Sequence, residues 1–315
     1  MKILFTGASS FTGMWFAKEL VKAGHDLTTI FRKKHDAYLG LKQKRVQQVI
    51  TDTNPLFECS FGDKTFFNTI KTNQFDVLCH HGAEVTNYKS ADFDPIAAVV
   101  NNTYNIKNVL ERLCESGCCK IVITGSVFEP FEGSGSDESK AFSPYGLSKG
   151  LTSEVFRYYT HHLAMKLGKF VIPNPFGPYE KERFTTYLAK QWLHGNVATV
   201  DYPAYVRDNI HVSLLARAYC HFIENLSKSF GMEKLNPSGY PESQESFVKR
   251  FSAELSARLK LPCGVNFKEQ KHFPEPKVRI NTDVLNPTEL EWDENLAWDE
   301  LAQYYRQTYG NNDKS

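Results

Sequence analysis

Short apolar runs of strand length and longer stretches of helical period alternate through the first half of the chain. That succession predicts a parallel sheet covered by helices. Ile3 to Thr6 reads as a buried strand. Gly13 to Ala23 reads as a helix stopped by Gly24, and Leu27 to Phe31 as a second strand rich in β-branched residues. Arg32 to Leu56 carries no clean period. A third strand is expected near Leu56 to Phe61 and a fourth at Phe75 to Cys79. Asp94-Pro95 opens a long helix that Gly117 closes, and Ser143-Pro144 opens another that Gly168 closes. In each, an N-cap type residue precedes proline at the first helical position. Strands are expected at Lys120 to Thr124 and Lys169 to Ile172.

Beyond about residue 173 the alternation loosens, and prolines and polar connections become frequent. The expected architecture is α/β: a doubly wound parallel sheet with helices on both faces over residues 1–172. A smaller lobe over residues 173–315 would bind substrate and be partly interleaved with the first domain.

Composition narrows the class. The chain has 315 residues, 41% hydrophobic and 23% charged, as a globular protein should. Its formal net charge of +1 gives no global signal for nucleic acid or an acidic membrane. The seven cysteines are odd in number and none forms a C-x-x-C pair. A disulfide framework is not expected, and the usage suits a reducing cytosol. No metal site is expected either, because no His/Cys cluster has ligand spacing. No run approaches the roughly 18 apolar residues that span a membrane. The N-terminal apolar run turns at once into glycine and serine, unlike a secretory signal. A cytoplasmic location is expected.

Two segments carry chemistry. Thr6-Gly7-Ala8-Ser9-Ser10-Phe11-Thr12-Gly13 joins the first strand to the first helix. Gly7 would allow the tight turn and Gly13 a close helix–strand approach, so that the helix N-terminus offers N–H groups to a pyrophosphate. Ser10 stands where the dinucleotide pattern expects glycine; it still offers an N–H and a hydroxyl. The second segment is Ser143-Pro144-Tyr145-Gly146-Leu147-Ser148-Lys149. Tyr145 and Lys149, four apart, share one helix face, and an ammonium beside a phenol favours the phenolate. Tyr145 is thereby prepared to exchange a proton with a substrate hydroxyl or carbonyl. Ser126, at the end of the preceding strand, is placed to orient the same oxygen.

At these residues the chain resembles the extended short-chain dehydrogenase/reductase family, in its nucleotide-sugar epimerase, dehydratase and reductase branch. Thr6-Gly7 to Gly13 resembles the family's T-G-x-x-G-x-x-G turn. Asn102 to Glu111 is similar to its N-x-x-G-x-x-N-V-L-E helix, with Asn105 in place of glycine. Asn174-Pro175-Phe176-Gly177-Pro178 is similar to its N-x-Y-G-P segment, and Arg207-Asp208-Asn209-Ile210-His211-Val212 to its R-D-[YF]-I-H-V segment. The resemblance implies a Rossmann fold and a catalytic set of Ser126, Tyr145 and Lys149. It implies cofactor contacts from Gly7, Ser9, Ser10, Phe11, Thr12, Gly13, Ser60, Phe61, Gly82, Ala83, Asn102, Thr124, Tyr145, Lys149 and Pro173. It implies substrate contacts from Ser126, Asn174 and Arg207, the last two on a diphosphate, and a homodimer built on the helices at Pro95–Ser116 and Pro144–Leu167. There are departures. Ser60 stands where the family carries an acidic residue near adenine. The usual V-Y-G is Val127-Phe128-Glu129, followed by a Gly/Ser-rich acidic loop from Glu129 to Phe142 that could line a sugar pocket or form a surface segment.

Arg32-Lys33-Lys34 follows the second strand, where NAD enzymes of this fold carry Asp or Glu. The cations favour the extra phosphate of NADP, though Asp36 lies nearby and NAD stays open. The family's dehydratases place Asp-Glu after the catalytic hydroxyl, whereas Val127-Phe128 follows Ser126, which disfavours elimination. The family's epimerase-reductases often carry a cysteine just after the serine; Phe128 occupies that place. What remains is redox at a sugar carbon, as net reduction of a 4-keto sugar or as 4-epimerisation. A non-catalytic dinucleotide sensor and an enzyme on non-nucleotide ketones are the alternatives. The intact Ser126, Tyr145 and Lys149 argue against the first, and the Asn174 and Arg207 segments against the second.

Overall fold

The computed structural model describes residues 1–136, 140–141 and 143–310. The chain forms two compact units, one of Met1–Glu132, Ser139–Ile172 and Ala216–Asn236, the other of Gly133–Glu138, Pro173–Leu215 and Pro237–Ser315.

The first unit is built on seven strands: β1 (Lys2–Thr6), β2 (Asp26–Ile30), β3 (Asn54–Leu56), β4 (Val77–His80), β5 (Lys120–Ser126), β6 (Lys166–Ile172) and β7 (Gly231–Leu235). Their order in the sheet is β7-β6-β5-β4-β1-β2-β3, and every pairing is parallel. The strands read as near-continuous apolar runs because both faces are covered. On one face Leu4, Leu78, Ile121 and Leu167 pack with Phe66, Ile70, Val109, Leu113 and Phe156. These come from α3 (Lys64–Thr72), α5 (Ile106–Glu115) and α6 (Pro144–His162). On the other face Phe16 of α1 (Phe11–Lys22) stacks on Tyr219 at 4.0 Å between ring centroids, with Phe170 against both. This is a Rossmann sheet.

Several boundaries differ from the sequence reading, each for a local reason. The stretch without period contains a helix, α2 (Gly40–Ile50), which buries Val46 and Val49. The third strand is only Asn54–Leu56 and ends at the first residue of the expected span, because Glu58 turns the chain at φ +53° and the Ser60 N–H donates to Asp63. The helix expected to run to Gly117 is two helices, α4 (Pro95–Asn102) and α5, broken at Asn105 in the left-handed region at φ +54°. Asn tolerates that conformation better than most residues, and its side-chain amide donates to the Gly62 carbonyl at 2.9 Å. Helix α6 stops at His162, well before Gly168, since Ala164 takes φ +52° and the Met165 N–H donates back to Thr160. Gly168 lies inside β6, which is thus three residues longer at its start than expected.

The second unit holds a small mixed sheet. Strand 206–211 is flanked by 240–243, antiparallel, and by 278–280, parallel; 174–176 also pairs with it. Residues 134–135 pair with 278–280. Helices 184–193, 244–259 and 294–309 enclose an aromatic core of Phe176, Trp192, Phe247, Phe251, Trp298 and Tyr305.

Candidate active site

In the first unit the chemistry-bearing residues gather at the carboxyl ends of β1, β2, β4 and β5, where open α/β sheets bind ligands. Between β1 and α1, Gly7 takes φ +87°, and a Cβ on Gly13 would overlap the Gly7 carbonyl oxygen. Glycine is therefore required at both, and the first turn of α1 can approach a ligand with its N–H groups foremost. Ser10 is the N-cap of α1: its hydroxyl accepts the Gly13 N–H at 3.0 Å, and its own N–H donates to Gly7. The hydroxyl that the sequence reading offered to phosphate thus faces inward.

What it faces is His81, which the sequence reading did not select. His81 Nε2 lies 3.0 Å from the hydroxyls of both Ser10 and Thr12, and Nδ1 lies 2.9 Å from the Thr124 hydroxyl. Burial, with the charge of Lys149 beside it, pushes the imidazole down to about 3, so it is neutral. A neutral ring has one donor and one acceptor nitrogen, and here it ties the phosphate-type turn to the end of β5. The signal in the sequence was weak: two adjacent histidines at a strand end, just before Gly82-Ala83. The other one, His80, bonds the Thr6 hydroxyl and the Asn102 carbonyl. The Gly82 N–H donates to Thr6 at 2.9 Å, and the Asn102 side chain accepts from Glu84 N–H at 2.7 Å and donates to Thr152. Gly82, Ala83 and Asn102 are thereby fixed along one edge of the turn.

Tyr145 lies in the first turn of α6, opened by the Ser143 cap, its ring 5.0 Å from that of Tyr88. Lys149, one turn on, is buried, and Nζ donates to the Thr124 carbonyl at 2.6 Å. Burial holds its ammonium below the usual lysine range; Glu129 opposes that shift and Lys169 adds to it. Ser126 ends β5, with its N–H on Glu129 at 2.7 Å and its hydroxyl accepting from Phe128 N–H at 3.3 Å. Arg32 and Lys33 stand exposed after β2, with Arg32 3.6 Å from Glu84. The Ser60 backbone N–H donates to the Asp63 carboxylate at 2.6 Å, and Phe61 is a core residue whose ring lies tilted 4.3 Å from that of His80.

Pro173, Asn174 and Arg207 belong to the second unit. Asn174 donates to the Asp208 carbonyl at 3.3 Å. Arg207 is buried; its guanidinium pairs with Glu275 at 3.0 Å, donates to the carbonyls of Val206, Pro276 and Lys277, and lies over the Tyr205 ring. Its ionic partner is Glu275, not its neighbour Asp208, whose carboxylate accepts from the N–H groups of Gly239 and Asn281. The acidic loop after Val127 is anchored at its start, with Glu129 and Glu132 buried; residues 137–139 and 142 lie outside the described residues. Away from these strand ends, His25, Cys220 and Glu224 bring three ligand-type atoms within 4.8 Å of one another. There His25 already pairs with Glu224 and the N-terminal amine, and burial keeps the thiol protonated.

The model of the NAD dependent epimerase/dehydratase family matches residues 3–236. Among curated proteins none matches significantly. Among solved structures, a UDP-glucose 4-epimerase from Thermotoga maritima with UDP-glucose is similar at 17% identity and a TM-score of 0.72, covering 98% of this chain and 99% of that one. A UDP-glucuronic acid 4-epimerase from Bacillus cereus, in complex with UDP-glucuronic acid and NAD, gives 19%, 0.72, 98% and 100%. DesIV, a dTDP-glucose 4,6-dehydratase from Streptomyces venezuelae, gives 16%, 0.70, 98% and 98%. At such identities the structures show a shared fold, whereas the family match spans well over half of the sequence: this protein belongs to the NAD dependent epimerase/dehydratase family.

Proposed function

We propose that this protein is an NAD(P)-dependent oxidoreductase acting on a nucleotide-linked sugar, with hydride transfer at a sugar 4-keto/4-hydroxyl carbon and net 4-ketoreduction as its reaction. The observation that carries the reading is the placement of Lys149. Its buried ammonium sits on the Thr124 carbonyl one helical turn from Tyr145, beside the turn built on Gly7 and Gly13. These residues fit a nicotinamide dinucleotide: the α1 N-terminus and the glycine cradle suit a pyrophosphate, and Gly82, Ala83 and Asn102 line the adjoining edge. When bound, that cofactor supplies the hydride.

The chain's own residues handle the proton and the orientation. Tyr145 donates a proton to the carbonyl oxygen being reduced, or accepts one from the hydroxyl being oxidised. Lys149 stabilises the phenolate between these events, and the Ser126 hydroxyl orients the same oxygen. Arg32 and Lys33, exposed after β2, suit the added phosphate of NADP. Asn174 and Arg207 are assigned to the substrate diphosphate; Arg207 would have to exchange Glu275 for phosphate oxygens.

A 4-epimerase retaining NAD is the second reading. It is favoured by two of the similar structures, which are 4-epimerases. The experiment that separates them is identification of the co-purified ligand by mass spectrometry, followed by a screen of UDP- and dTDP-hexoses and their 4-keto forms. Stoichiometric NADPH consumption with a 4-keto sugar supports the reductase. Interconversion of two sugars without net cofactor turnover replaces it with the epimerase. No turnover of any nucleotide sugar removes both.

A further inference from the structure

The turn after β5 holds charges that the chemistry above does not use. Glu129 and Glu132 are buried, and so is Lys169 of β6. Lys169 Nζ lies 2.6 Å from Glu129 Oε2 and 2.7 Å from Glu132 Oε1. The second oxygen of Glu132 accepts from Lys234 at 2.9 Å and Asn236 at 3.0 Å. The second oxygen of Glu129 accepts the Ser126 N–H at 2.7 Å. Burial opposes the charge on Glu132, but Lys169, Lys234 and Asn236 outweigh it and hold the carboxyl below its ordinary range. Burial likewise opposes the charge on Lys169, and Glu129 and Glu132 outweigh it. The members of the cluster pair with one another, the arrangement in which buried charges are tolerated.

It lies against the strand and the helix that carry the proton-transfer residues. A Cβ on Gly125 would come within 2.8 Å of Lys169 Cε and 3.0 Å of Glu129 Oε1. The same turn presses on α6: a Cβ on Gly146 would overlap the Phe128 carbonyl oxygen, and one on Gly150 would come within 2.7 Å of Pro130. Gly146 and Gly150 directly follow Tyr145 and Lys149. Lys149 itself is held by the carbonyl of Thr124, the residue before Gly125.

We propose that Glu129 and Lys169 are positioning residues for the proton-transfer set. Glu129 clamps the backbone of Ser126, and the pair fixes the charge that the buried Lys149 ammonium meets at the end of β5. This rests on the assignment of Tyr145 and Lys149 to proton transfer. The groups that act on Lys149 are Glu129 from the turn, Lys169 from β6, His80 at the end of β4 and His81 just after it; Tyr145 lies one turn away on its own helix. Burial pushes both histidines down to about 3, so they are neutral, and Glu129 and Lys169 set the local charge.

The test is a side-chain NMR titration of Lys149 in the full-length protein, its signal assigned by loss in Lys149→Met. Glu129→Gln keeps an oxygen for the Ser126 N–H but removes the anion; the Lys149 midpoint should fall, because that anion favours the charged ammonium. Adding Lys169→Met removes the cation too and should bring the midpoint most of the way back. Structural damage would accumulate instead of cancelling. An unmoved midpoint in Glu129→Gln, or a double variant that departs further from wild type, overturns the proposal. Should Glu129→Gln not fold, Lys169→Met alone must move the midpoint the opposite way, upward, and no movement there overturns the proposal equally. The titration needs no substrate, so its failure is distinct from failure of the functional reading, which near-normal turnover in Tyr145→Phe would bring.

Discussion

Tyr145 and Lys149 are four residues apart, yet their surroundings differ. Tyr145 is half-buried against Tyr88, while Lys149 is buried with its ammonium on a carbonyl. If Tyr145 moves the proton, Tyr145→Phe should lower turnover by about 100-fold or more, the usual size of a lost general acid. Cofactor affinity should stay within about twofold, since the phenyl ring keeps the packing. Parallel kinetics and calorimetric cofactor titration decide this, and an unchanged turnover would take Tyr145 out of the mechanism. Arg32 carries the cofactor question. Its guanidinium is mostly exposed and faces Glu84 at 3.6 Å, a weak surface pairing that a phosphate dianion would displace. Charge-assisted bonds from Arg32 and Lys33 should give at least about a tenfold preference for NADP over NAD, after desolvation. Arg32→Ala with Lys33→Ala should abolish that preference. Equal loss of both cofactors, or no preference in wild type, would leave the two residues as surface charges and strengthen the NAD-retaining epimerase reading.

At the scale of elements, β4 joins stability to the site. His80 ends this strand and His81 directly follows it, both neutral in the fold, and His211 is held likewise at the end of strand 206–211. Burial pushes each down to about 3 from an ordinary 6.5. A folded-state pKa depressed in this way means that the unfolded chain binds protons first as pH falls. The stability these rings contribute is complete above 6.5 and is lost as pH falls toward 3. Each ring should cost up to about 1.4 kcal/mol per pH unit in that window. Denaturant unfolding at stepped pH should show the loss beginning near neutrality, earlier than carboxylate protonation alone would bring it. His81→Asn should flatten the slope by about one proton, and an unchanged slope would show that His81 is protonated in the fold.

For the whole molecule, helices α4 and α6 pack side by side, and each leaves large apolar side chains uncovered. Ile96, Val100 and Tyr104 follow one another at four-residue spacing, and Leu147, Leu151 and Tyr158 run along α6; Ile96, Val100 and Tyr158 are each about 60% exposed. Apolar side chains exposed on a helix pair are a place for another surface to cover, and in the expected homodimer a second copy of the same pair would cover them by two-fold symmetry. The expected homodimer should appear by light scattering at micromolar concentration. Val100→Glu combined with Leu151→Glu should convert it to a monomer with its helical circular dichroism intact. A monomeric wild type would remove the dimer, and a dimer that survives the charges would move the interface elsewhere.

The sequence by itself determined the kind of sheet, the turn at Gly7–Gly13 and the helix that pairs Tyr145 with Lys149. Each of these is a local property: a buried strand needs an apolar run, a tight turn needs glycine, and residues four apart on a helix share a face. The Asp94 and Ser143 caps, each before proline, were legible for the same reason, and both helices begin there. Helix ends without glycine were not legible. Asn105 takes left-handed backbone with its side chain on the distant Gly62 carbonyl, and Ala164 does so in a local turn in which the Met165 N–H donates back to Thr160, with no glycine to mark it. Only the tertiary structure could bring Glu129 and Glu132 into a buried cluster, since their partners Lys169, Lys234 and Asn236 lie 37 to 104 residues away. The same holds for His81, which acquires meaning only when Ser10, Thr12 and Thr124 are folded around it. A residue's charge state and hydrogen bonds depend on its neighbours in space, and those are set by packing rather than by the residues beside it in the chain.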